Sequence, residues 1–421
     1  MTDRAILRDI VASGDQDITN TPIYTPLPAV LDRLSVVVGN QAVSGWTSYN
    51  ISSDCFGVVD TFSCSIWDLS TAVVQGLTPG SRYQLILSKR DGNVIDGEPL
   101  QTGTIHSLDD SIQTDRSFST SVGGQNLLRD LQSSSVPRDV IVGGRTVLDV
   151  VSELADVYDI HVTVNNRVRH QQRRAEYDVK VNEIIRSMDT DALRRKHKPS
   201  NEESIYDFLN RLVAEYPVNI HVNAYGDLIV APPSYGQAPS YVFNISIDRP
   251  SVNNVLATDV RINIDGMPTE IVKESWRRKR DADGELMPRE KISVNARSKV
   301  LVTEHNTSGH AYLVVPKTYY RPLISYDPKA KTDSRLKSAA NTALDVQSSG
   351  WLTIDVTVDG HDQGGVPYRV DTVAHYRNER LGIAGDFYVR ACQYFRQSRS
   401  ANEGAAYTQI SLEPLYGWVK P

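Results

Sequence analysis

The most constraining feature of this sequence is a helix that runs straight into a β-hairpin at residues 200–230, SNEESIYDFLNRLVAEYPVNIHVNAYGDLIV. Ile205, Phe208, Leu209, Leu212, Val213 and Tyr216 recur at spacings of three, four and seven, which makes one apolar stripe on a helix. Ser200 followed by Glu203 has the form of a capping box, and Pro217 stops the helix. Val218 to Val222 then alternates like a half-buried strand, Tyr225-Gly226-Asp227 turns the chain, and Leu228-Ile229-Val230 returns.

Displaced by 58 positions, the pattern recurs without a gap as TVLDVVSELADVYDIHVTVNN, residues 146–166. Val147, Val150, Val151, Leu154, Ala155 and Tyr158 take the stripe positions, and Asp149, Leu154, Tyr158, Val164 and Asn165 are identical to their counterparts. Two readings stay open: an internal duplication, or two amphipathic units aligned by their common period. Neither copy holds a nucleophile–base pair or a ligand cluster. The unit reads as scaffold, and its stripe marks Leu212 as core and leaves His221 without a functional role.

Around this unit the sequence is β-like. Residues 1–28 end in three closely spaced prolines and read as an extended arm that needs a neighbour to order it. Residues 29–122 hold short strands. Leu34, Val36 and Val38 alternate, Gly39-Asn40 turns, and Val43, Gly45-Trp46 and Ile51 follow on a second strand. Further strands are expected at 61–67, 83–87, 103–106 and 118–122, with Gly123-Gly124 as the turn into an α/β region, 123–232. Beyond Pro232-Pro233 strands resume at 241–247, 255–264, 351–358, 368–373, 386–395 and 407–412, with one helix over 329–347. The fold class expected is α+β, mostly β: two small antiparallel β-barrel domains, 29–122 and 233–421, with duplicated helix–hairpin inserts at 146–166 and 200–230 between them, the barrels free to exchange strands.

With 421 residues the chain can bury several cores, and a net charge of −6 gives no bias towards nucleic acid or anionic membrane. The first residues lack a signal peptide's apolar core, and no apolar run approaches the roughly 18 residues of a membrane helix. Cys55, Cys64 and Cys392 lack CxxC spacing and are expected as buried thiols. Among nine histidines, His361-Asp362 in DGHDQGG is the only pair that suggests acid–base work, weighed against surface or core histidines. No HExxH, GxSxG, SxxK or phosphate-loop pattern occurs, so no catalytic, cofactor or metal residue is assigned. Basic stretches at 167–174, 194–198 and 277–280 could grip phosphate; the bland reading is a solvated loop or a surface for an acidic protein.

The order of four stretches resembles the baseplate hub proteins of contractile-tailed phages, specifically the Mu-like hub and more distantly the late control D family. They are LSVVVGNQAVSGWTSYNISSD with TFSCSIWD; TGTIHSLDD with SVGGQNLLRDLQSSS; the helix–hairpin ESIYDFLNRLVAEYPVNIHVNAYGDLIV; and RLKSAANTALDVQSSGWLTIDVTV with LGIAGDFYVRACQYF. Gln125 stands where that family carries a basic residue, and the charged loop at 277–284 has no counterpart. The resemblance implies a homotrimeric ring that adapts a sixfold tail tube to a threefold central spike. It also implies baseplate wedge or tape measure neighbours, DNA only as a passenger through the bore, and no membrane insertion by the hub itself. Its place would be the virion baseplate, after synthesis in the host cytoplasm, and it would not be an enzyme. Two competitors are a wall-degrading tail enzyme and a carbohydrate-binding module using Trp46, Trp67 and Trp351.

Overall fold

The computed structural model describes residues 6–7, 10–11, 24–57, 59–67, 74, 76–112, 118–137, 140, 142–164, 175–190, 198–200, 202–214, 216, 218–263, 265, 267–277, 290–297, 301–303, 313–315, 321–327, 332–333, 336–337, 340, 351–397 and 405–415. Two short strands lie in the arm, β1 (Ile6–Leu7) and β2 (Ile10–Val11). Seven more follow: β3 (Arg33–Val38), β4 (Gln41–Ser44), β5 (Ser48–Asp54), β6 (Thr61–Trp67), β7 (Arg82–Ser88), β8 (Glu98–Ile112) and β9 (Phe118–Asn126).

Two expectations fail here for local reasons. Val43 and Ile51 do not share a strand, because Gly45 turns the backbone at φ 86° and separates β4 from β5. Trp46 folds into the core at this break and its indole N–H donates to the Val43 carbonyl (3.2 Å). Gly123-Gly124 is not a turn but lies inside β9, paired with β6 and β8. A Cβ on Gly124 would collide with the Phe62 ring and stand 2.8 Å from the Thr104 carbonyl oxygen. Glycine is needed there for close approach, so Gly124→Ala is expected to lower the melting temperature by several degrees, through overpacking of about 1–3 kcal/mol. Thermal denaturation followed by circular dichroism checks this.

The α/β region carries α1 (Leu128–Ser133), α2 (Val147–Asp156), β10 (Val162–Thr163), α3 (Ala175–Thr190), α4 (Ile205–Val213), β11 (Asn219–Val222) and β12 (Leu228–Ala231). The stripe residues of α2 and α4 are buried in one cluster with Leu128, Leu131, Ile220 and Val230. The cap of α4 is one turn later than the Ser200–Glu203 pattern implies. Ser204 is the N-cap and accepts from the Asp207 backbone N–H (3.0 Å). Glu203 is held instead by Arg211 (2.8 Å) and by the Ser200 N–H (2.7 Å). Thr146 and Asp149 make the equivalent cap on α2 at the same 58-residue displacement, with both halves of a capping box present. The first unit supplies one strand rather than a described hairpin: β10 pairs parallel to β12, on the side opposite the antiparallel β11.

The last part holds β13 (Tyr241–Ile245), β14 (Val255–Ile262), β15 (Glu270–Arg277), β16 (Glu290–Arg297), β17 (Leu301–Thr303), β18 (Leu313–Val315), β19 (Pro322–Tyr326), β20 (Leu352–Asp359), β21 (Asp362–Gln363), β22 (Val366–Pro367), β23 (Thr372–Asn378), β24 (Ile383–Gln397) and β25 (Ala406–Pro414). The strand expected at 368–373 begins only at Thr372, because Asp371 sits at φ 57° and ends the preceding turn. Of the helix expected over 329–347, Asp333, Leu336, Lys337 and Ala340 are helical, Thr332 is a bend, and the other positions lie outside the described residues.

The two β segments are joined. β24 pairs with β5 over seven residues, so strands from both ends of the chain form one 14-stranded sheet. One apolar cluster follows the same path, with Val36, Ile51, Phe62 and Leu85 from the first segment and Trp351, Ile354, Phe387 and Ile410 from the second. The arm also finds its neighbour within the chain. The Tyr24 carbonyl accepts from the Asn244 side chain (2.7 Å) and the Pro28 carbonyl from the Gly364 N–H (2.9 Å), and just past the arm Val30 and Leu31 donate backbone N–H groups to the Asp362 carboxylate (2.8–3.1 Å).

Candidate interaction surfaces

Over β5, β6, β9, β20 and β25 side chains alternate between a buried and an open face of the large sheet, whereas β23 is buried throughout. On β5, β6 and β9 the buried apolar side chains are Tyr49, Ile51, Phe62, Cys64 and Val122. Their neighbours point the other way, and the register pairs Ser48 with Ser65, Asn50 with Ser63, Ser52 with Thr61, and Ser65 with Ser121. The pattern continues into β24, β25 and β20, where Gln393 faces Ser52 and Gln409, and Ser411 faces Asp355. Cross-strand hydrogen bonds tie it together: Ser52 to Thr61 (2.9 Å), Ser65 to Ser121 (2.8 Å) and Gln393 to Asn50 (2.9 Å).

The result is a continuous wall of hydroxyl and amide groups. A shallow depression of about 470 Å³ lies on it, lined by Ser48, Asn50, Ser63, Ser65, Gln393 and Gln409 among others, and Arg396 is the one charged residue in that lining. Such a face can exchange hydrogen bonds with water or a passing polymer, but offers little fixed positive charge to hold phosphates. Charge appears towards its margins, at Asp109 on β8, at Asp355 on β20, and at Asp259 and Arg261 on β14.

A second open surface lies on the three-stranded sheet of β16, β15 and β19. Ile271, Ala296 and Ile292 turn inward against Ala340 and Leu336. The opposite face leaves Trp276, Ile324 and Tyr326 exposed at 46 %, 65 % and 55 %. An apolar group of this kind marks a contact surface more often than solvent-facing β-structure does.

His221, His361 and His375 are buried, whereas His106 and His161 are exposed. The Tyr49 hydroxyl lies 2.6 Å from His361 Nε2, while His361 Nδ1 lies 2.8 Å from Thr408 Oγ1. Thr408 donates its own proton to the Gly360 carbonyl (2.7 Å), so it accepts from His361 Nδ1–H, and Nε2 accepts from Tyr49. Asp362 meanwhile accepts from the Val30 and Leu31 N–H groups and from the Gly365 N–H (2.7 Å). The two side chains suggested as an acid–base pair therefore serve different strands. Burial is the main cause that pushes the His361 pKa down to about 3. A depressed folded-state pKa means its contribution to stability is whole above about pH 6.5 and is lost as pH falls towards 3. Between pH 6.5 and 5 this loss is about 2 kcal/mol, and His361→Gln is expected to flatten that stretch of a urea-midpoint profile.

A second buried group joins the segments. Asp371 accepts from the Ser234 N–H and Oγ–H (both 2.8 Å) and from the Tyr388 hydroxyl (2.9 Å), which lies 2.9 Å from Cys55 Sγ. His221 Nε2 lies 3.9 Å from Asp371 Oδ2, and desolvation depresses the pKa of this imidazole. No pattern in the sequence joins these five residues, which come from five separate stretches. Cys55, Cys64 and Cys392 are free and buried, and burial pushes each thiol up.

Trp46 and Trp351 are buried at 1 % exposure, so only Trp67 of the three tryptophans considered for sugar binding is open. Residues 167–174, 194–197 and 278–280 of the basic stretches lie outside the described residues. Among the described residues no three His, Cys, Asp or Glu side chains gather as a metal site. No helix among them is long and apolar enough to cross a membrane.

No protein-family model and no curated protein matches the sequence. Solved structures do match. A tail protein from Neisseria meningitidis MC58 is 18 % identical, with a TM-score of 0.62 over 90 % of this chain and 96 % of its own. The 43 kDa tail protein of prophage MuSo2 from Shewanella oneidensis is 16 % identical, with a TM-score of 0.62 over 91 % and 98 %. A chain of a PdpA-VgrG complex is 8 % identical, with a TM-score of 0.50 over 92 % of this chain and 66 % of that one. The mostly β chain, with its α/β insert and continuous sheet, thus has the fold of the Mu-like phage tail proteins.

Proposed function

We propose that this chain is a structural hub subunit of a contractile phage tail baseplate. Three copies form a ring between the sixfold tail tube and the threefold central spike, each β segment supplying one barrel-like half. The observation that carries this reading is a likeness to two tail proteins that spans nine-tenths or more of both chains. The match to a chain from a complex with VgrG supports a spike-like partner on one side. The hydroxyl-and-amide wall suits the bore, since DNA in transit should meet hydration and few cations. The exposed Trp276, Ile324 and Tyr326 suit a tail partner: the tube, the spike, or a wedge or tape measure protein. A non-enzymatic role agrees with the engagement of His361 and Asp362 in packing. The protein would be made in the host cytoplasm and reside in the virion baseplate.

Sedimentation equilibrium of the purified protein, alone and with its spike partner, tests the proposal. Three copies per particle are expected; a strictly single-chain species in both samples overturns it.

A further inference from the structure

Among the described residues β19 is an open edge of the small β16–β15–β19 sheet. The Asp327 N–H donates to the Glu274 carbonyl (2.8 Å) and the Arg321 carbonyl accepts from the Thr269 N–H (3.0 Å). Odd-numbered residues therefore turn their backbone groups to β15, and alternation sends those of Pro322, Ile324 and Tyr326 to the open edge. Pro322 fits this, because a strand tolerates proline where the missing N–H faces outward. The edge is apolar on both faces. Leu323 is 38 % exposed on one, and Ile324 and Tyr326 are 65 % and 55 % exposed on the other. No lysine and no bulge guards it over residues 321–327.

We infer that this edge is self-complementary, and that in the free protein β19 of two copies pairs antiparallel about a twofold axis at Ile324. Pairing Ile324 with itself sets Pro322 opposite Tyr326, and Arg321 opposite Asp327, of the second copy. Backbone bonds then run in both directions between the two Ile324 residues, and from each Tyr326 N–H to the facing Pro322 carbonyl, so no donor is asked of proline. On the open face apolar meets apolar, isoleucine on isoleucine and tyrosine on proline. A register centred on Ser325 gives as many backbone bonds but sets Asp327 against Leu323. The other charges nearby do not oppose the joint. Arg321 lies 3.6 Å from Asp265, but at 51 % and 92 % exposure this pair is weak, and the guanidinium has donors to spare for Asp327. Glu270 and Glu274 on β15 are held by Asn295 and Lys291 (2.5 and 2.8 Å). The inference goes beyond the ring reading and does not rest on it, since a twofold joint doubles whatever particle the chain forms. It covers Ile324 and Tyr326, so a second copy and the tail partner proposed above compete for one surface.

All three natural cysteines are buried, so added surface cysteines report alone. Residues of a hydrogen-bonded antiparallel pair stand about 5.5 Å apart at Cα, within reach of a disulfide. Ile324→Cys is therefore expected to link two copies under mild oxidation, and Pro322→Cys and Tyr326→Cys chains to link only when mixed. Ser293→Cys, exposed on β16 away from the edge, is the control and is expected not to link. So small a joint is weak: sedimentation at roughly 100 µM is expected to show a doubled particle mass, and at about 1 µM the undoubled mass. Ile324→Lys, which places a charge on the edge, is expected to remain undoubled at both. Ile324→Cys chains that link no more than Ser293→Cys, Pro322→Cys chains that link to each other, or Ile324→Lys particles that still double overturn the joint. Three copies per particle with no doubling overturn the joint and leave the ring standing. A single chain that doubles to two upholds the joint and overturns the ring.

Discussion

Replacing Leu212 by aspartate is expected to unfold the α/β region and with it any assembly. Leu212 is 1 % exposed, in the one cluster that holds α1, α2, α4 and the β10–β12–β11 sheet together. Truncating a buried leucine costs about 2–5 kcal/mol, and a carboxylate set among apolar side chains adds several more. That sum rivals the roughly 5–15 kcal/mol by which a typical domain is stable. Hydrogen exchange should show loss of protection over residues 128–230 first, with the large sheet less affected because its core is a separate cluster. A soluble Leu212→Asp protein with wild-type protection and particle size would mean that this cluster does not hold the region.

Asp371→Ala is expected to cost about 3–5 kcal/mol, since each buried donor left without its acceptor costs roughly 1–3 kcal/mol. The change strands the Ser234 N–H and hydroxyl and the Tyr388 hydroxyl, all buried, and puts alanine at φ 57°. Asp371→Asn retains an acceptor and tolerates that backbone, so it should cost much less. His221→Ala is the contrast. Its Nε2 is too far from the carboxylate for a hydrogen bond, so a loss of about 1–2 kcal/mol and unchanged assembly are expected. Urea denaturation of the three variants orders them; equal losses for Asp371→Ala and His221→Ala would mean the carboxylate is not the centre of the junction.

How much of this could be read from the residues differs by element. The stripes of α2 and α4 were legible because the 3.6-residue period is a local property, and burial of every one of their first five apolar positions follows from it. The correct cap was legible too: Thr146 with Asp149 and Ser204 with Asp207 coincide at the displacement that aligns the stripes. Ser200 with Glu203 satisfies the same motif one turn early, but Glu202 at φ 63° lies between them, so the helix starts only after Ser204. Gly123-Gly124 reads as a turn because glycine is permissive, while its place in β9 depends on Phe62 and Thr104, distant in sequence.

By itself the sequence determined the periods where alternation is clean: the strands at 61–67, 83–87, 351–358 and 407–412, the apolar face of each, and where the helix–strand units lie, but not β15, β16 or β19. Those follow from bonded geometry and side-chain type within a few residues. Only the tertiary structure decided that β24 joins β5 and fuses both ends of the chain into one sheet. The same holds for the delivery of β10 to the far side of the second unit's hairpin, and for His361 and Asp362 serving different strands. Each depends on contacts between residues tens to hundreds of positions apart, which the closing of a shared core selects and no local period records.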